Sequence, residues 1–238
     1  MHFQFEITLQ DAYDPEMIYQ NNGTARRIVV HKFELWVPKL HLTGKGQKFV
    51  NENFLKPTKW KYLQEEMQKS IPRSDTGGSY LITPGVINPK HVFVFLQQSR
   101  KRNSYTQNPY IFDTFDIDGD NSARLDDCRL KYGENFYPEP AYDHDFKSRI
   151  YKYLINYRYR KNDYNSGVQL QLANFEKLYP IIHFDLRNVK ESLTGDPKKL
   201  KFHYKLNEDA NLNYIIYAFV LNEREFVLKQ IGNELVVV

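Results

Sequence analysis

Between Lys199 and Leu206 every second residue is apolar: Leu200, Phe202, Tyr204 and Leu206 alternate with Lys199, Lys201, His203 and Lys205. Successive side chains of a β-strand point to opposite faces, so this pattern builds one dry face and one wet one. A helix would scatter both sets around its axis. The same period opens the chain, where Phe3, Phe5, Ile7 and Leu9 oppose Gln4, Glu6 and Thr8. It returns over Arg26–Leu42, with His31, Phe33, Leu35 and Val37 opposite Lys32, Glu34 and Trp36, and with Pro38 bending the strand or placing it at an edge. Cys128–Phe136 alternates as well. Tyr80–Thr83 reads as a short strand, and His91–Leu96, Ile181–Leu186 and Tyr214–Leu221 are apolar runs of strand length. Glu225–Leu228 and Glu234–Val238 close the chain around a Gly232-Asn233 turn.

Two stretches carry a helical period instead. Over Thr58–Ser70, Trp60, Leu63 and Met67 fall at helical spacing behind Thr58 as N-cap. From Asp143 onward Phe146, Ile150, Leu154 and Tyr157 form one stripe, with Asp143 or Asp145 as the cap. Strands and helices do not alternate as βαβ units, no internal repeat is visible and no shift of composition marks a boundary. The expected fold is all-β: an antiparallel sandwich of roughly seven to ten strands with two short inserted helices. It is expected to form one domain over residues 1–238. The 18 Tyr and 16 Phe suit pleated, half-buried surfaces, as core or as subunit interface.

Several function classes fall away at this level. One cysteine, Cys128, excludes an intramolecular disulfide and a Cys-rich zinc site. No basic-then-apolar leader opens the sequence, so the protein is expected to be made inside the cell and not secreted. No apolar run reaches the ~18 residues of a membrane span. The formal charge of +4, from 33 basic and 29 acidic residues, is too balanced to imply nucleic-acid binding by itself.

The candidates for chemistry read better as structure. Asp116, Asp118 and Asp120, within the acidic stretch Asp113–Asp127, have the spacing of a calcium loop, but Gly119 and Asp127 stand where such a loop places other residues. A solvated loop is the better reading. Asp143-His144-Asp145 is accounted for by helix capping, and no two histidines stand at metal-ligand spacing. Cys128 in a strand is a small buried hydrophobe, and Asn22-Gly23-Thr24 is a sequon that needs a secretory route. Arg100-Lys101-Arg102 and Arg158-Tyr159-Arg160-Lys161 are short basic patches, read as solvated loop ends or contacts to a neighbouring subunit. No nucleophile elbow or phosphate-cradling glycine loop occurs. The expectation is no catalytic residue, no metal ligand and no cofactor.

Five segments, in order, carry a resemblance: VHKFELWVPKLHLT (Val30–Thr43), NPKHVFVFLQQSRKRNSYTQNPYIFDTF (Asn88–Phe115), YPIIHFDLR (Tyr179–Arg187), LKFHYKL (Leu200–Leu206) and YIIYAFVLNEREFVL (Tyr214–Leu228). The chain resembles the C-terminal jelly roll of double jelly-roll major capsid proteins of Polinton (Maverick) elements, adintoviruses and virophage-like viruses. The resemblance implies an antiparallel jelly-roll sandwich and a hexon-like structural protein with no catalytic residues. It implies a homotrimeric capsomer, contacts with neighbouring capsid proteins, a place in the virion, and no specific nucleic-acid partner. A family member has two jelly rolls and this sequence supplies one, as a fragment or as a shortened copy. The alternative readings are a lectin-like jelly-roll module using Trp36, Trp60 or Tyr105, and a metal-dependent enzyme using the Asp113–Asp127 loop.

Overall fold

The structure, a computed structural model, describes residues 29–32, 34, 41–54, 58–99, 125–142, 147–158, 171–178, 180–193, 195–206, 213–231 and 234–237. Three helices, α1 (Gly44–Phe54), α2 (Lys147–Arg158) and α3 (Leu172–Leu178), accompany nine strands among these residues. The strands are β1 (Thr58–Lys69), β2 (Gly77–Val86), β3 (Pro89–Gln98), β4 (Leu125–Tyr132), β5 (Asn135–Tyr142), β6 (Ile182–Asp185), β7 (Lys198–Leu206), β8 (Tyr214–Ile231) and β9 (Glu234–Val237).

Every pairing is antiparallel. One sheet runs β1–β8–β3–β6, with β9 on the far part of β8, and the other runs β2–β7–β4–β5. The pairs β1·β8, β2·β7, β3·β6 and β4·β5 nest inside one another like the two arms of a single long hairpin. Rolling that hairpin up brings β8 against β3 and β7 against β4. This is the strand order of a jelly roll, so the sandwich is a jelly roll as expected.

The core lies between the sheets. Val92, Val94 and Leu96 of β3 with Ile216, Ala218 and Val220 of β8 face Leu130 and Tyr132 of β4 and Leu200 and Phe202 of β7, each at most 2% exposed. The apolar half of the Lys199–Leu206 alternation is this inward face. Gly77 stands where the start of β2 presses on β7: a Cβ there would lie 2.9 Å from the Tyr204 carbonyl oxygen. Gly77→Ala is expected to cost about 1–2 kcal/mol, read as a lower urea midpoint at unchanged slope.

The structure corrects several expectations. Thr58–Ser70 is not a helix: Thr58–Lys69 is strand β1, paired residue for residue with β8 from Leu228 to Tyr217. As an edge strand it leaves Trp60, Leu63 and Met67 42–55% exposed, so burial imposed no period-two pattern on its sequence. Cys128–Phe136 is not one strand but the end of β4, a turn at Gly133 and the start of β5. Gly133 has φ +62°, a left-handed turn geometry that glycine adopts without strain. Tyr80–Thr83 is the middle of the longer β2, which continues through Pro84, and the two C-terminal segments of β8 are one strand. The described residues of Arg26–Leu42 form no strand, and Val29 and Val30 stand about half exposed, at 49% and 51%, with no sheet face to cover them. The strand expected over His2–Leu9 lies outside the described residues.

The stripe of Ile150, Leu154 and Tyr157 is helical as expected, in α2. Helices α1 and α3 were not anticipated. The glycines of α1 and its exposed Phe49 hide its period, and the Thr43 hydroxyl caps it by accepting the Gly46 N–H at 3.3 Å.

Candidate functional site

Where β3 pairs with the first half of β8, the outward side chains are aromatic, whereas further along the β1–β8 pair they are charged. Phe95 stacks on Tyr217 at 5.0 Å between centroids and lies 5.9 Å from Phe219 across the β3–β8 pair. Helix α2 covers the neighbouring part: Tyr157 meets Phe93 edge-on at 4.9 Å and His91 at 4.6 Å. Between α2 and the sheet an open cavity of about 300 Å³ is lined by Phe93, Phe95, Phe219, Leu221, Leu154 and Tyr157, together with Glu65 of β1. Its walls are apolar, which suits a hydrocarbon or a protein side chain and gives little to orient a polar substrate.

Beside the cavity, His91 Nδ1 and His183 Nε2 are 3.1 Å apart, so one ring donates and the other accepts. Asp185 Oδ1 stands 3.9 Å from His91 Nδ1. The trio has the elements of a relay, but both histidines are 2% exposed, with Tyr157 packed against each ring. Sequence reading placed the two on separate strands and saw no relation. Only the β3–β6 register, with Phe93 opposite His183, reveals it. Among the described residues no group of three or more metal-ligating side chains converges.

The remaining candidates stay apart. Asp126 and Asp127 are half-buried on β4, and the rest of the Asp113–Asp127 stretch lies outside the described residues. So do Asp143-His144-Asp145, Asn22-Gly23-Thr24, Arg100-Lys101-Arg102, Tyr159-Arg160-Lys161, Trp36 and Tyr105, while Arg158 ends α2. Trp60 lies on β1. Cys128 is fully buried in the core, and burial pushes its thiol well up, the opposite of what a nucleophile requires. No described helix is long and apolar enough to cross a membrane.

The other sheet presents a different surface. Its outward row on β7 is Lys199, Lys201, His203 and Lys205, and β4 adds Arg129 opposite His203 and Lys131 opposite Lys201. Arg129 lies over the Phe136 ring at 4.0 Å and Lys131 at 5.6 Å from it. Burial first, and then the charges of Arg129, Lys201 and Lys131, hold the His203 pKa below its ordinary value.

Comparison with solved structures finds similarity to the Sputnik virophage, with a TM-score of 0.42 and 10% identity over 76% of this chain. The match spans 39% of that chain's length. No family model and no curated protein matches. The jelly roll is therefore assigned from the strand order.

Proposed function

We propose that the protein is a capsid subunit, the C-terminal jelly roll of a major capsid protein of the Polinton and virophage-like kind, with residues 1–238 forming one jelly-roll domain. In this reading it joins copies of itself in trimeric capsomers and contacts neighbouring capsid proteins in the virion. It performs no catalysis and holds no cofactor.

One observation carries the reading. Four of the five segments that resemble the capsid family cover all or most of strands β3, β6, β7 and β8. In the structure three of these are neighbours, with β3 between β6 and β8, while β7 lies in the other sheet as the inner strand between β2 and β4. The likeness therefore falls on three consecutive strands of one sheet and on an inner strand of the other. A shell also needs subunits with broad side-to-side surfaces, and a partly apolar sheet face such as that of Phe95, Tyr217 and Phe219 is of that type.

Light scattering on a gel-filtration column tests it. The expected mass is three times 28.4 kDa. A monomer that persists when a second jelly roll is supplied overturns it.

A further inference from the structure

The outward face of the β2–β7–β4–β5 sheet is charged in a way that folding alone does not explain. Along β4, β7 and the turn after β4, five fixed cations (Lys199, Lys201, Lys205, Arg129 and Lys131) stand with three carboxylates, Asp126, Asp127 and Glu134. Lys131 holds Glu134 at 3.2 Å. Among the described residues Lys199, Lys201, Lys205 and Arg129 have no carboxylate in ion-pair range. Lys131 and Lys201 are moreover directly opposite in the β4–β7 register, a like-charge cross-strand pair that destabilises a sheet.

The cations form a line. Alternate residues of a strand repeat every ~6.7 Å, so Lys199 to Lys205 spans about 20 Å, and Arg129 and Lys131 run parallel to it one strand away. A straight row of one sign fits a linear, repeating anion better than it fits a compact carboxylate patch. Phe136 is clasped by Arg129 and Lys131, so its ring holds the cations in place and leaves little open face for a base to stack on.

We infer that this face binds the phosphodiester backbone of single-stranded nucleic acid through Lys199, Lys201, Lys205, Arg129 and Lys131, without reading its bases. The interaction is electrostatic, is independent of base sequence and is steeply salt-dependent. It needs no trimer and stands apart from the capsid reading, so a monomeric chain binds as well.

The test is fluorescence anisotropy with a labelled oligothymidylate at about 50 mM and about 200 mM salt. Engagement of about four phosphates gives a log–log slope near −2.8 and about 50-fold weaker binding at the higher salt. Lys199→Glu with Lys201→Glu should abolish binding, and the neutral Lys201→Gln should weaken it without adding a negative charge. Because Lys201→Glu also relieves the clash with Lys131, it should raise the melting midpoint by about 1–2 °C, separating lost binding from lost folding. Lys69→Glu, on the other sheet and with the same charge change as Lys201→Glu alone, should bind like the parent. The inference is overturned by any of three results: no saturable binding at the lower salt, equal loss in Lys69→Glu, or displacement of the oligonucleotide by polyglutamate at matched charge. The last would assign the face to an acidic protein surface.

Discussion

Phe202→Ala is expected to destabilise the protein by about 3–5 kcal/mol, a large part of the 5–15 kcal/mol typical of a folded domain. Phe202 is fully buried and bridges the two sheets: from β7 it meets Phe184 of β6 edge-on at 6.2 Å, and on its own strand it stacks with Tyr204 at 5.4 Å. Truncation leaves a cavity bounded by two sheets whose hydrogen-bonded ladders hold them in place, so little of the void can collapse. Urea denaturation of the variant gives the number directly. A loss under about 1 kcal/mol would mean that the sheets close over the gap.

The second large effect concerns Asp75. The segment before β2 is strapped to the start of β8 by reciprocal backbone bonds between Arg73 and Tyr214, at 2.7 and 2.8 Å. Asp75 knots the strap: its carboxylate takes bonds from the Arg73 guanidinium, from Tyr214 OH at 2.7 Å and from Tyr204 OH at 3.2 Å. Tyr214 is fully buried, so Asp75→Ala takes a carboxylate acceptor away from a buried hydroxyl, and is expected to cost about 2–3 kcal/mol. The hydrogen bond from Arg73 is the main reason the Asp75 carboxyl is held down at about 2, against the opposing effect of burial. A depressed carboxylate stabilises the fold above its unfolded value near 3.9, and that contribution is lost as pH falls from about 4 through about 2. The parent should therefore lose more stability over that window than Asp75→Asn does. Parallel acid titrations of the two by circular dichroism measure the difference, and coincident curves would remove Asp75 from the acid response.

How much of this was legible depended on burial. Strand β7 was readable because one face lies in the core, so selection for packing writes period two into the sequence, and β6 was readable as a short apolar run because Ile182, His183 and Phe184 are all buried. Strand β1 has no such face along most of its length, and three exposed apolar residues at helical spacing filled the gap in the signal. The β4–β5 hairpin was hidden because apolar residues continue through it and its turn carries only Gly133 as punctuation. The basic row on β7 was visible as the wet half of an alternation. That Arg129 and Lys131 extend it, and that His91 and His183 meet, depends on register between strands far apart in sequence, which one chain read alone does not contain.

The position of β8 also fixes when the protein can become itself. This 18-residue strand lies between β1 and β3, and Lys59 and Glu225, which bond across the β1–β8 pair, are 166 residues apart. At 5–20 residues per second a ribosome takes on the order of 10 s to make that interval. Throughout it β1 has been made and its zipper has not, with Trp60, Tyr62, Leu63 and Met67 on an unpaired backbone. The sheet thus closes only once β8 has been made, and until then the waiting strand offers an open edge to any other chain it meets.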